Sequence, residues 1–218
     1  MNHLAVFDCD GTLVDSQAAI CRAMDECFAS HGLTPPDRQA TRRIVGLSLP
    51  QAMRALLPDA EPHLHDLLAQ TYKSAFHRHR AEGLVEEPLF DGIADAVQAL
   101  EDAGWLLGVA TGKSDRGLRL CLERHGLHAR FVTLQTADRH PSKPHPAMLH
   151  AAMAGAGAAP ETTVMIGDTS FDMMMAREAG AHALGVGWGY HDADDLRSAG
   201  ALDVVETAQD LIGWMERF

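Results

Sequence analysis

Six short apolar runs recur along this chain of 218 residues, and most of them are separated by segments with a helical pattern. An apolar run of this length is typical of a buried strand. Strands that alternate with helices form a parallel sheet through right-handed crossovers, with helices covering both faces. We therefore predict a Rossmann-like doubly wound α/β fold. The predicted strands are 4–7, 106–110, 131–134, 164–166, 183–186 and, as the weakest signal, 204–205, and helices are predicted at 93–103, 117–125 and 146–153.

One stretch departs from this alternation. Between about residues 16 and 85 no strand is indicated, and proline and glycine punctuate a series of helical patterns. A helical block of that length is too long for a single crossover, which favours an inserted all-helical cap domain. The predicted organisation is an α/β core of residues 1–15 and 86–218 with a cap of residues 16–85. The cap helices are predicted at 18–31, 37–45, 50–57 and 61–80.

Charge and composition limit the partners of this protein. The formal net charge is −12 and apolar residues make up 46% of the chain, as in ordinary globular proteins. A strongly acidic surface repels nucleic acid and anionic membranes, so we expect neither as a partner. No signal-peptide pattern precedes the first motif, and the four cysteines form no CxxC pair. These features favour a cytoplasmic protein with reduced thiols. Both a monomer and a homodimer remain open.

The segment DCDGTLVDS, residues 8–16, follows the first predicted strand directly. Ligands of parallel sheets bind at the carboxyl ends of the strands. Two carboxylates placed there, Asp8 and Asp10, suit a hard divalent cation with oxygen ligands, and Gly11 lets the chain turn sharply. This segment resembles the first motif of the haloacid dehalogenase-like (HAD) superfamily. The resemblance implies that Asp8 is a nucleophile and that Asp10 is the general acid and base of a phosphatase.

Three later segments resemble the remaining motifs of that superfamily, in the same order along the chain. Thr111 and Gly112 follow a predicted strand, and their hydroxyl and N–H groups suit a phosphate oxygen. Lys143 lies in a Lys-Pro segment that opens a helix, and the resemblance implies that it neutralises the phosphate and the nucleophile. Asp168 ends another strand and is implied as a magnesium ligand, with Asp172 supporting the metal ligands or the lysine.

Two lysines, Lys73 and Lys113, do not occupy positions to which the motifs assign a role. Lys113 follows Gly112, and because the motif does not use this position we expect it at the surface. Lys73 is the only lysine in the predicted cap. It lies in a helical pattern, which gives little support to an enzyme that forms a Schiff base.

The resemblance as a whole implies a magnesium-dependent phosphatase that acts on a small phosphorylated metabolite. Asp8, Asp168 and the backbone carbonyl of Asp10 are implied as magnesium ligands, and an aspartyl-phosphate on Asp8 as the intermediate. The segments 90–92 and 185–191 are similar to the phosphoglycolate phosphatase-like branch. A phosphomutase of the same superfamily remains open. A non-catalytic phosphate-sensing or partner-binding protein and a receiver-like domain are further alternatives, and Asp10 argues against a dehalogenase.

The predicted cap has one candidate for substrate recognition. Gly46, Leu47 and Ser48 lie between two predicted helices and resemble a specificity loop. Arg42 and Arg43 precede this loop, and an arginine suits a second anionic group on the substrate. We therefore expect one of these arginines to contact substrate.

Overall fold

The computed structural model describes residues 2–218, which form one six-stranded parallel sheet with helices on both sides. The strand order is β3-β2-β1-β4-β5-β6, so the first strand lies in the middle, between the second and the fourth. This arrangement confirms the predicted doubly wound α/β fold. The strands are β1 (Asn2–Phe7), β2 (Leu106–Thr111), β3 (Phe131–Thr136), β4 (Ala158–Gly167), β5 (His182–Val186) and β6 (Asp203–Val205).

Two apolar clusters lie against the two faces of the sheet, because the central strands bury side chains on both sides. Phe7 and Val109 belong to one cluster, whereas Val6 and Ala110 belong to the other, as alternation along a strand requires. The first face is covered by α5 (Ile93–Asp102), α6 (Asp115–Arg124) and α10 (Ala208–Met215), and the second face by α7 (Ala147–Ala156), α8 (Ser170–Glu178) and α9 (Ala193–Ala199).

Five helices lie between β1 and β2, and we call the segment of the first four, residues 17–81, the helical insert. These four enclose a third apolar cluster, in which Met24, Phe28 and Leu68 are at most 2% exposed. Burying a side chain of this size contributes about 1.5–3 kcal/mol, so the insert has a core of its own. Its separation as a cap domain with the bounds given above stays a prediction. The helices are α1 (Gln17–Ser30), α2 (Arg38–Ile44), α3 (Leu49–Leu56) and α4 (Pro62–Ala81).

Among residues 2–218, no helix combines the length and the apolar character that crossing a membrane requires. All four cysteines are free and buried.

Candidate active site

The predicted motif residues converge at one edge of the sheet. Asp8 directly follows β1, Asp168 directly follows β4, and Thr111 is the last residue of β2. These three strands are neighbours and run parallel, so their carboxyl ends meet. Asp8 and Asp168 are fully buried and Thr111 is 1% exposed, which places all three at the bottom of a closed site.

Lys143 reaches this edge from the loop that precedes α7. Its ammonium group lies 2.9 Å from Asp8 Oδ1 and 2.6 Å from Asp172 Oδ1, and its side chain has no exposed surface. Burial alone would lower the pKa of Lys143, but the two carboxylates outweigh this effect and raise it. Lys143 is therefore a permanent cation between Asp8 and Asp172.

The two later aspartates are oriented by separate partners. Asp168 accepts hydrogen bonds from the Thr12 hydroxyl at 2.7 Å and from the Tyr190 backbone N–H at 2.9 Å. Asp172 Oδ2 accepts from the backbone N–H and the hydroxyl of Thr169, which forms a capping box at the start of α8. Since Asp172 Oδ1 contacts Lys143, both of its oxygens are engaged.

The buried carboxylates fit a divalent cation. Asp8, Asp168 and Asp172 each offer an oxygen within 4.8 Å of the others. Within residues 2–218, Asp8 Oδ2 is buried and has no hydrogen-bond partner. Burial raises the pKa of Asp8 to about 7, although Lys143 acts in the opposite direction, and burial also raises the pKa of Asp168. A hard cation with oxygen ligands would stabilise the ionised form of both groups.

Gly11 lies so close to the Asp168 carboxylate that a larger residue does not fit there. Gly11 has a positive φ of 86°, and a Cβ there would lie 2.1 Å from Asp168 Oδ2. Any side chain would therefore displace this carboxylate in addition to straining the backbone.

Asp10 lies outside this group of three buried carboxylates. Its Oδ1 accepts a hydrogen bond from the Ser16 hydroxyl and lies 2.7 Å from the ammonium group of Lys113. The side chain of Asp10 is 12% exposed, so it faces a cavity. The structure therefore separates the two carboxylates of the first motif, with Asp8 facing Lys143 and Asp10 facing Lys113.

The expectation that Lys113 lies at the surface is wrong. Its side chain is 9% exposed, and its ammonium group contacts Glu87 Oε1 at 2.8 Å as well as Asp10. A buried ammonium group is stable only when it is paired, and these two carboxylates supply the pairing. Glu87 is itself fully buried and also pairs with Arg80 of α4 at 2.7 Å. In the sequence Glu87 marked only a segment boundary, and no local pattern indicated this network.

A cavity of about 340 Å³ opens beside Asp10, between the sheet edge and the helical insert. Its wall combines apolar and basic side chains. At one side, the turn after β2 touches the insert so closely that a Cβ on Gly112 would lie 2.6 Å from the Leu47 carbonyl oxygen. The Ser48 backbone N–H also donates to the Ser142 hydroxyl at 2.7 Å. The predicted specificity loop is therefore in direct contact with the site. The lining includes Asp10, Tyr72, Phe76, Arg80, Lys113 and Arg116.

The two arginines expected at the substrate do not line this cavity, and a substrate contact by either of them stays a prediction. Arg42 donates to the Gly189 carbonyl at 3.0 Å and lies over the Tyr190 ring, and Arg43 is exposed. Both line a separate depression near His191, and neither lines the cavity beside Asp10. The orientation of α2 decides this, because Thr41 and Ile44 face the core of the insert and turn the arginines away from it.

Known proteins resemble this chain over its whole length. The family model of the haloacid dehalogenase-like hydrolases matches residues 5–186. A "Probable phosphatase IndB" of Dickeya dadantii is 36% identical over 98% of this chain and 93% of its own. A phosphoglycolate phosphatase of Agrobacterium fabrum is 29% identical over 88% of this chain and 83% of its own. The crystal structure of a predicted phosphatase from Clostridium acetobutylicum covers all of both chains with a TM-score of 0.90 at 23% identity.

Proposed function

This chain belongs to the haloacid dehalogenase-like hydrolase family as one of its phosphoric monoester hydrolases, and we propose that it uses Asp8 as a covalent nucleophile, with Mg²⁺ as cofactor. The observation that carries the proposal is the Asp8 carboxylate, which is buried and held by Lys143 at 2.9 Å, and one of its oxygens has no hydrogen-bond partner among residues 2–218. A carboxylate in that position has one oxygen free to bond to another centre. The neighbouring cation limits the repulsion that an incoming phosphate would meet.

The reaction divides into two steps. In the first, an Asp8 oxygen bonds to phosphorus while the bond from phosphorus to the leaving oxygen breaks, and Asp10 donates its proton to that oxygen. In the second, Asp10 takes a proton from water as the water oxygen attacks phosphorus, which releases phosphate and regenerates Asp8. Asp10 suits this role because it faces the cavity, whereas Asp8 lies below it.

The phosphoryl oxygens need several donors, and the residues around Asp8 supply them. Lys143 provides a fixed positive charge, while the Thr111 hydroxyl and the Gly112 N–H lie at the end of β2. Asp8 and Asp168, with the Asp10 backbone carbonyl, would hold the magnesium ion, and Asp172 would orient Lys143. When bound, the cation offsets the negative charge that phosphate brings to a carboxylate nucleophile.

For the substrate we propose a small phosphorylated metabolite of the phosphoglycolate type. The similarity to the phosphoglycolate phosphatase of Agrobacterium fabrum supports this class, and the basic residues that line the cavity suit a leaving group with a carboxylate. The cavity volume of about 340 Å³ also admits larger leaving groups. A phosphomutase remains the alternative, because the same four motif segments serve both reactions.

One experiment tests the central proposal. The purified protein should release phosphate from a set of phosphate monoesters in the presence of Mg²⁺. Asp8→Asn keeps the size of the side chain but removes the nucleophile, and should lower turnover by several orders of magnitude. Arg197→Asn, at an exposed ion pair with Asp194, is the control. Near-normal turnover by Asp8→Asn, with its fold verified by circular dichroism, would exclude the covalent mechanism.

A further inference from the structure

Beside Asp8 lies a second buried charge network, of which the two-step reaction uses only Asp10. It runs from Asp10 through Lys113 and Glu87 to Arg80, with successive oxygen–nitrogen separations of 2.7, 2.8 and 2.7 Å. Asp10 belongs to the loop after β1, Lys113 to the turn after β2, and Arg80 to the last turns of α4. Glu87 lies in the segment that joins the insert back to the sheet. The network therefore connects the cavity with the end of α4 and with the segment that follows it.

We infer that Lys113 is a positioning residue that holds the Asp10 carboxylate against the cavity, and that Glu87 fixes Lys113 in turn from the segment joining α4 to α5. This inference rests on the proposed function, because it assigns Asp10 the proton transfer to the leaving oxygen. It adds a role for two residues, Lys113 and Glu87, to which the resemblance to the family's motifs assigns none.

The contacts of Asp10 define what Lys113 does. Asp10 Oδ1 has two partners, the Ser16 hydroxyl and the Lys113 ammonium group. The ammonium group is the charged partner, and a charge-assisted contact of this length is the stronger of the two kinds. Because both partners bind the same oxygen, they set the direction in which the second oxygen of Asp10 points. Proton transfer depends on that direction, since the acid must reach the leaving oxygen within hydrogen-bond distance.

Lys113 is itself held in place by Glu87. The Glu87 side chain is fully buried, its carboxylate pairs with Lys113 and Arg80, and its backbone carbonyl accepts a hydrogen bond from His125. Glu87 is thus fixed through both its side chain and its backbone. Two of the three ammonium donors of Lys113 are engaged by the carboxylates of Asp10 and Glu87. Lys143 contacts the nucleophile Asp8 instead, so the contact with phosphate is assigned to Lys143.

The arrangement also relates the insert to the chemistry. Arg80 and Lys113 both line the cavity, and Arg80 is carried by the longest helix of the insert. A leaving group that fills the cavity therefore lies against the same groups that orient Asp10. Lys113 lies next to Gly112, where a Cβ would lie 2.6 Å from the Leu47 carbonyl oxygen. The turn is therefore close to the insert at Gly112 and is linked to it through Glu87 and Arg80 at Lys113.

The test separates a loss of proton donation from a loss of phosphate binding. Single-turnover rates of the first step are measured with Mg²⁺ on an alkyl phosphate and on p-nitrophenyl phosphate, whose phenolate leaves without protonation. Lys113→Met removes the ammonium group but keeps most of the stem. It should slow the alkyl ester about ten- to hundredfold and p-nitrophenyl phosphate less than about threefold, with KM little changed. Lys113→Arg retains a cation that can meet both carboxylates and should recover most of the alkyl rate.

Three further variants keep the inference falsifiable. Glu87→Gln should also slow the alkyl ester more than p-nitrophenyl phosphate, to a smaller extent. It replaces Lys113→Met in the test if that variant does not fold. In Asp10→Asn the additional change Lys113→Met should cost little, because residues that act as one unit are non-additive. Arg197→Met removes an exposed cation and should leave both rates unchanged. Equal losses on the two esters, a rise in KM alone, or an additive double variant would overturn the inference. Absence of turnover by the unaltered protein would instead refute the proposed function.

Discussion

Replacing Lys143 by methionine should destabilise the metal-free protein severely. Lys143 is fully buried between Asp8 and Asp172, at 2.9 and 2.6 Å, and Asp168 offers a third carboxylate within 4.8 Å of these two. Removing one partner of a buried ion pair costs about 3–5 kcal/mol, because the remaining charge stays desolvated and uncompensated. For a domain of this size, 1 kcal/mol corresponds to about 2–4 °C, so the melting temperature should fall by about 6–20 °C.

Urea denaturation in chelator at pH 7.5 measures this loss directly. The double variant Lys143→Met/Asp172→Asn removes one of the uncompensated charges and should regain part of the stability. Adding Mg²⁺ should reduce the difference in unfolding free energy between the variant and the unaltered protein, since a cation replaces the missing charge. This difference should also decrease at pH 5, because Asp8, whose pKa is already raised to about 7, then binds a proton. A Lys143→Met protein that unfolds within about 1 kcal/mol of the original in chelator would refute this electrostatic account.

Three other predictions follow from the site. Chelation should abolish phosphate release, and Mg²⁺ should restore it. Ca²⁺ should restore it poorly, because its coordination shell is larger and more flexible. Full activity of protein shown to be metal-free by elemental analysis would exclude a role for the cation. Gly112→Ala places a Cβ 2.6 Å from the Leu47 carbonyl oxygen, so kcat/KM should fall roughly tenfold through displacement of the loop. Gly155→Ala, in α7, is the matched control, and equal kinetics for the two variants would contradict the contact. Glu87→Gln should destabilise most at neutral pH, because Lys113 and Arg80 outweigh burial and lower the Glu87 pKa. That stabilisation is present above the ordinary value of 4.5 and lost as the pH falls through the lowered pKa, so urea denaturation at pH 7 and pH 3.5 should show the deficit shrinking.

Much of the fold follows from local patterns in the sequence. The run 4–7 is apolar throughout because β1 lies in the middle of the sheet and is buried on both faces. The helices of the insert are delimited by prolines, which fix φ and lack an N–H donor, and by glycines, which allow a positive φ; both effects act over a few residues. Asp8, Thr111 and Asp168 could be predicted as neighbours for a related reason. Each follows a predicted strand, and parallel strands end at the same edge of a sheet.

The pairing of charges could not be predicted in this way. Lys113 lies 26 residues from Glu87 along the chain and far from Asp10, and no local pattern shows that the three side chains meet in a buried position. Their contact depends on how the joining segment before α5 packs against the turn after β2. The orientation of Arg42 is a second example, because a helix of seven residues has several plausible phases. Packing of Thr41 and Ile44 selects the one in which this arginine donates to the Gly189 carbonyl. Sequence alone thus determined the strands, the helices and the residues at the strand ends, which depend on neighbours along the chain. The tertiary structure decided which charged side chains are buried together, because desolvation and pairing energies depend on groups that only folding brings within a few ångströms.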